Sequence, residues 1–398
     1  MRKPRIFINI HYMEIGGAER ALLGLLNAID TNKVDVDLFI NQHTGEFMSL
    51  IPDKINLLPE NKRYATIEKP MSEVLRKGHV DIVIARMFAK VAHWFYARKR
   101  DDAHRNDASI FHYVAQYTTP LLPSLKKLGK YDLAISFLAP HNIVAKKVDT
   151  KKRIGWIHTD YTISTTNEQA ELPIWKSLNH IISISPDVTT TFLKAFPSLS
   201  DKIVEIENIL SPTFVREQAK LFIPNETKGD FIKICSVGRF CEAKNYDNVP
   251  FVAKFLKEKG LNFKWFIIGY GDDKLIKDNI KKTETEELVI LLGKKDNPYP
   301  YIANCDIYAQ PSRYEGKSVT VREAQILCRP ILVTNYPTAK SQINNGIDGI
   351  ICEMDNNSIT DAIYKLAIDE KMRNKISEHL ASHDYGNEGE ISKLYKLL

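Results

Sequence analysis

The chain has 398 residues, 44% of them apolar and 26% charged, an ordinary globular composition in a length that exceeds one ordinary core, so two domains are expected. Its 55 Lys and Arg against 49 Asp and Glu leave a net charge of +6, which suits an anionic small ligand or membrane surface and is too weak to argue for nucleic acid. No run of 18 apolar residues occurs, so no spanning helix is predicted.

The opening MRKPRIFINI has the basic start of an export signal, but its apolar run is short and ends at His11 and Glu14, so a strand at Ile6–Ile10 is expected instead. Further strands are predicted at Val34–Ile40, Asp81–Ala85, Asp132–Leu138, Arg153–His158, His180–Ser185 and Lys202–Ile206, where β-branched and aromatic residues cluster. Between the first two, Ala21, Leu22, Leu25, Leu26 and Ile29 fall on one helical face. Ile209–Asp230 carries two prolines, polar residues and weak periodicity, as linkers do. Beyond it, strands are predicted at Lys233–Val237, Lys264–Ile268, Leu288–Leu292, Cys305–Ala309, Ile331–Thr334 and Gly349–Cys352, with helical patterns such as Asn248–Lys259 and Val319–Leu327 between them. Cys235, Cys241, Cys305, Cys328 and Cys352 all lie in this half, odd in number and without metal-type spacing, and read as buried free thiols of a reducing compartment.

Such alternation indicates βαβ units. The expected fold class is α/β: two Rossmann-like domains with parallel sheets facing across a cleft. The first is placed at 1–212, a linker at 213–230, the second at 231–375, and closing helices at 376–398 that can pack back on the first domain. Ligands of such sheets bind outside the carboxyl ends of the strands, and four motifs follow strands directly. Gly238 permits a tight exit, and Arg239 and Lys244 on the same loop suit a diphosphate, although two solvated surface cations are the plain alternative. Gly269-Tyr270-Gly271-Asp272 can bring backbone close to a ligand, or be a simple turn. Leu292-Gly293-Lys294 can wall a base pocket. The fourth runs from Pro311 to Ala324 and sets Glu315 in a glycine-containing loop and Glu323, eight positions on, in the following helix. Its helix start, with the N–H groups of Gly316, Lys317, Ser318 and Val319, can receive a phosphate or sugar oxygen. Glu315 can accept from sugar hydroxyls and Glu323 from the paired hydroxyls of a ribose.

At these residues the chain resembles the retaining glycosyltransferases of family 4, which have the GT-B fold. The resemblance rests on Gly238-Arg239-x4-Lys244, Gly269-x-Gly271 and the E-x7-E element from Glu315 to Glu323. It implies that Arg239 and Lys244 hold the donor diphosphate, Glu315 the donor sugar and Glu323 the ribose, with backbone contacts from Gly316, Lys317, Ser318 and Val319. The family commonly reads E-G-F-G where this chain reads Glu315-Gly316-Lys317-Ser318, a departure that bears on the sugar pocket. In the first half, Gly16-Gly17-Ala18-Glu19-Arg20 resembles the family's N-domain glycine loop, which faces the donor phosphate and acceptor. His158 matches a histidine that the family often places near the reacting sugar. Asp160 and Asn208 are weaker candidates at strand ends. Ala89–Arg105 mixes Trp94, Phe95 and Tyr96 with Arg98, Lys99, Arg100 and Arg105; it reads as a half-buried helix or as one that lies on an anionic bilayer.

The resemblance implies transfer of a sugar from a nucleoside diphosphate sugar, UDP being favoured, to a hydroxyl of a glycan or lipid-linked acceptor, with retention. It further implies surface polysaccharide synthesis and a cytoplasmic site at the inner face of the membrane. Arg239 and Lys244 would stabilise the leaving group. No metal and no cofactor beyond the co-substrate are expected, since no D-x-D-type site stands at a strand end. The alternatives are a nucleotide-sugar epimerase of the same fold and a non-catalytic nucleotide-sugar-binding assembly protein.

Overall fold

A computed structural model of the protein describes residues 2–98, 106–107, 109–158, 161, 164–165 and 167–398. The chain divides into two compact units, Met1–Ile209 with Glu388–Leu398, and Leu210–Asn387.

The first unit contains strands β1 Arg5–Ile10, β2 Asp35–Ile40, β3 Asn56–Leu57, β4 Asn106–Asp107, β5 Tyr131–Ser136, β6 Thr150–Ile157, β7 Ser164–Thr165, β8 His180–Ser183 and β9 Ile203–Glu205. Seven form one sheet in the order β3-β2-β1-β5-β6-β8-β9, parallel throughout; β4 and β7 pair separately. Helices cover both faces of such a sheet, which is why β1 and β5 read as continuous apolar runs: Ile6, Phe7, Ile8, Leu133, Ala134 and Ile135 are all fully buried. The predicted face of the first helix, Gly17–Ala28, is buried through Ala21, Leu22, Leu25 and Leu26. The end of the chain is pinned to this unit: the Asp30 N–H donates to Tyr395 Oη at 2.8 Å and Lys152 Nζ to the Leu397 carbonyl at 3.1 Å.

The expected strand at Asp81–Ala85 is instead part of a helix, Val80–Ala97. Ile82, Val83 and Ile84 favour strand locally, but the buried positions Ile82, Ala85 and Ala89 are spaced by three and four residues, and that helical contact decides the conformation.

The second unit contains β10 Ile232–Val237, β11 Phe263–Ile268, β12 Val289–Gly293, β13 Ile307–Gln310, β14 Ile331–Thr334 and β15 Ile350–Cys352. Their order is β12-β11-β10-β13-β14-β15, again parallel. The strand order reverses between β10 and β13, the switch point outside whose strand ends ligands of open α/β sheets bind. The stretch expected as a linker carries the helix Pro212–Ala219, N-capped by Ser211 Oγ, with Phe214 and Val215 buried. The helix Glu370–Ala381 belongs to this unit, while Glu388–Leu398 belongs to the first. All five cysteines are free; Cys235 and Cys305 are buried and Cys241 is exposed.

Candidate functional site

Pairing of Ile234 with Ile307 and Cys235 with Tyr308 sets β10 beside β13 in register, so the loops that follow them meet. Lys244 lies in the short 3-10 turn Glu242–Lys244 and Glu315 in the loop after β13. Lys244 Nζ donates to Glu315 Oε1 at 2.6 Å, with both side chains largely buried. The same oxygen accepts from Ser312 Oγ at 2.6 Å and Gln310 Nε2 at 3.1 Å. Gln310 in turn accepts from Tyr308 Oη at 2.8 Å. These donors fix the carboxylate and leave the ammonium with two further N–H groups.

Glycine at 238 is required by space, since a Cβ there would lie 2.8 Å from Tyr246 Oη and 3.0 Å from Lys244 Cε. Asn245, at φ 58, reverses the chain and donates from Nδ2 to the Pro311 carbonyl at 2.9 Å. The Arg313 N–H donates to the Ala243 carbonyl at 2.8 Å, and its guanidinium grips Asp247 at 2.8 and 3.0 Å. The two loops are therefore one hydrogen-bonded body. Arg239 stands exposed on it and makes no ion pair among the described residues.

The glycines after β11 lie against the loop after β10. Both permit the protein's own loops to touch: a Cβ on Gly269 would lie 1.9 Å from the Gly238 carbonyl oxygen, and one on Gly271 (φ +133) 2.5 Å from that of Phe240. Tyr270 between them is exposed, with Lys294 Nζ 5.4 Å from its ring.

The helix Val319–Ile326 starts without a side-chain cap at Ser318. The Ser318 N–H donates to Gln342 Oε1 at 2.7 Å, so one of the four amides expected to face a ligand already has an internal partner; Gln342 Nε2 returns a bond to the Ser318 carbonyl at 3.0 Å. Gly316, Lys317 and Val319 are exposed. Glu323 is fully buried and accepts from Tyr299 Oη at 2.9 Å. Thr320, one turn before it, donates to Gln310 Oε1 at 3.4 Å, which links this helix to the Glu315 cluster. The structure thus joins Lys244, Glu315 and the helix of Glu323 through Gln310. Sequence reasoning missed Gln310, Ser312, Thr338 and Gln342, which hold the loop; Thr338 donates to the Glu315 and Gly316 carbonyls and Gln342 bonds Ser318, over 22 to 24 residues, and such distant partners carry no local signal. A cavity of about 460 Å³ lies at the ends of β14 and β15, lined by Asn335, Lys340, Asn344 and Glu353 among others; none of the predicted donor residues lines it.

In the first unit, Gly16 is the N-cap of the helix Gly17–Ala28, and Glu19 folds back so that a Cβ at 16 would lie 2.0 Å from its Oε2; Gly17 is exposed with open space around its Cβ position. His158 follows β6, with its ring 4.6 Å from that of Phe137 and stacked on Trp156. Burial pushes its pKa down to about 3, so any part it plays is that of a neutral imidazole. Asp160 and residues 99–105 lie outside the described residues. His11, directly after β1, carries no signal in its sequence context. Its Nδ1 meets Glu68 Oε1 at 2.7 Å; burial lowers its pKa, but the Glu68 charge and hydrogen bond outweigh that and the net shift is upward.

Glu171 is a further buried acid of the first unit. Burial pushes the Glu171 carboxyl up to about 7, although Trp175 Nε1, the Asn167 N–H and Tyr161 Oη all point donors at it. Nearby His112 is held neutral by burial, down to about 4. Between the ordinary 4.5 and about 7 the folded chain keeps a proton that the unfolded chain releases, so this group makes stability fall as pH rises. Glu171→Gln should therefore gain on the parent by about 3 kcal/mol between pH 4.5 and pH 8 in urea unfolding. Equal pH slopes in the two proteins would show that the carboxyl ionises normally.

Residues 217–382 match the family described as Glycosyl transferases group 1. The N-acetylgalactosamine-N,N'-diacetylbacillosaminyl-diphospho-undecaprenol 4-alpha-N-acetylgalactosaminyltransferase of Campylobacter jejuni is 32% identical over 146 residues, 35% of this chain and 38% of that protein. The chain thus matches well under half the length of this relative. Among the solved structures that match over nearly the whole chain are two with bound UDP. A variant of Staphylococcus aureus TarM, in complex with fondaparinux, alpha-GlcNAc-glycerol and UDP, gives a TM-score of 0.64 at 13% identity, covering 99% of each chain. Anabaena HepE in complex with UDP and glucose gives 0.63 at 14% identity, covering 99% of this chain and 100% of that one. The fold is GT-B. The first unit is accordingly the N-terminal Rossmann-like domain of a GT-B protein, and the second, with the Lys244–Glu315 pair at its switch point, is the C-terminal one.

Proposed function

We propose that the chain is a retaining glycosyltransferase that moves a sugar from a nucleoside diphosphate sugar, a UDP-sugar in the first instance, to a hydroxyl of a glycan or lipid-linked acceptor in surface polysaccharide synthesis. The observation that carries this reading is the Lys244–Glu315 pair at the β10/β13 switch point, a cation and a carboxylate placed where a parallel sheet binds its ligand. A diphosphate would take the ammonium of Lys244 and the exposed guanidinium of Arg239, and a sugar hydroxyl would donate to Glu315. Charge that develops on the departing diphosphate would then meet two cations carried by one loop that is hydrogen-bonded to its neighbour. Glu315, locked by three donors, orients the sugar and does not attack it. Departing phosphate oxygens can take the acceptor proton. The relative's name describes a transferase acting on a diphospho-undecaprenol acceptor, which favours this reading over the epimerase and the non-catalytic binder.

A thermal-shift series with UDP, GDP, ADP and their hexose conjugates tests it, because a ligand that binds only the folded state raises its stability. UDP or a UDP-sugar is expected to raise the melting temperature, and Glu323→Ala to weaken that response about tenfold or more in ligand concentration, as loss of a charged hydrogen-bonding partner does. No shift with any nucleoside diphosphate sinks the proposal.

A further inference from the structure

The helix Val80–Ala97 is built inside out. Toward its own unit it turns Ile82, Ala85 and Ala89, with His93 and Tyr96 against Tyr113 of the helix Ser109–Thr118. Toward water it turns Ile84, Met87, Phe88, Val91, Trp94 and Phe95, each between 47% and 60% exposed. These positions step by one, three or four residues and fall on one stripe about a third of the circumference wide. Scattered surface hydrophobics are ordinary, but a contiguous stripe of large side chains marks a contact surface.

Charge selects the occupant. Asp81, at one border of the stripe, is paired with Arg63. Lys90 and Arg98 have no acidic partner among the described residues, and the Arg98 guanidinium lies over the Trp94 ring at 4.4 Å. A second copy seated face to face would bring these cations toward their own images, whereas an anionic headgroup layer would neutralise them while the apolar stripe sinks to the acyl boundary. The helix has 18 residues, about 27 Å at the helical rise, and among the described residues no helix is long and apolar enough to cross a membrane. It can lie in the interface and not span it. We propose that this face docks on the anionic surface of a lipid bilayer, with Phe88, Trp94 and Phe95 at the acyl boundary and Lys90 and Arg98 among the headgroups.

The chain carries its own reporter. Of its four tryptophans, Trp156, Trp175 and Trp265 are at most 2% exposed and Trp94 is 50% exposed. Adding vesicles of phosphatidylcholine mixed with phosphatidylglycerol to the full chain should shift tryptophan emission to the blue and protect it from iodide, while phosphatidylcholine alone should do so weakly. In flotation with the mixed vesicles, the combined variant Ile84→Gln, Phe88→Gln, Phe95→Gln should lose about tenfold or more in partition. Lys90→Gln with Arg98→Gln should lose the preference for the anionic vesicles. Unshifted, unprotected emission from the parent would overturn the proposal without recourse to any variant. So would flotation of the apolar variant equal to the parent, or sedimentation showing a parent dimer that the apolar variant turns to monomer while neither floats. No nucleotide enters this experiment, so its failure and that of the transferase reading are separable.

Discussion

Lys244→Ala is expected to lower kcat by about 10²–10³-fold, about 3–4 kcal/mol, the scale of one preorganised electrostatic donor at a developing anion. Arg239→Ala should fall in the same range. The two cations differ in how they are held. Lys244 is fixed by the 2.6 Å bond to Glu315 and by the narrow passage beside Gly238, whereas Arg239 is exposed without an ion pair, so the loss at Lys244 should depend less on salt. If both act on the leaving group, kcat and kcat/KM fall together; a rise in KM at unchanged kcat would mean that the cations bind the donor and its transition state equally, and the leaving-group role would be wrong. Lys244→Ala also strips Glu315 of its ammonium, so Glu315→Gln is the needed companion. It keeps a side chain that the neighbouring donors can reach while removing the charge, and a double-variant loss smaller than the sum of the two would show that the pair acts as a unit.

Much of the architecture is legible because buried parallel strands advertise themselves as apolar runs. Val36, Leu38 and Ile40 in β2, and Trp265 to Ile268 in β11, have nowhere to go but between two layers of helices. At Asp81–Ala85 the short run favours strand, but the deciding pattern spans more of the chain: Ile82, Ala85 and Ala89 show their spacing only along the helix. Even then the pattern does not reveal which face is inside. The larger side chains of that helix are the ones left in water, because alanines allow it to approach its unit closely. At the site, Arg239 and Lys244 stand out as two cations in the loop after β10, and Glu315 and Glu323 as acids eight positions apart after β13. Gln310 does not stand out, since it ends β13 as one more residue of a strand, and Gln342 reaches the site only through tertiary folding.

Gly269→Ala is expected to destabilise the second unit by about 1–3 kcal/mol, the usual scale of overpacking, and to unseat Lys244 without touching it. The backbone at 269 is not in the left-handed region, so an alanine meets no conformational penalty; the obstacle is the Gly238 carbonyl oxygen at 1.9 Å and the Phe240 ring at 2.9 Å. Neither can step aside cheaply. The Gly238 N–H donates to the Ile268 carbonyl at 3.0 Å, the Phe240 N–H to the Tyr270 carbonyl at 2.7 Å, and the Gly269 N–H to the Gly293 carbonyl at 3.0 Å. A methyl group driven between these loops must break one of those bonds or push the Arg239–Lys244 loop as a body, because that loop is also tied to Arg313 on the far side. Calorimetry of the full chain should show the loss in one unit's transition, with a weaker UDP response. Gly316→Ala is the matched control, since nothing lies within 4 Å of a Cβ there, and its stability should stay within about 0.5 kcal/mol of the parent. A Gly269→Ala protein that melts with the parent and answers UDP equally would show that the loops do not meet as described, and that the cation loop is positioned by something other than its neighbour.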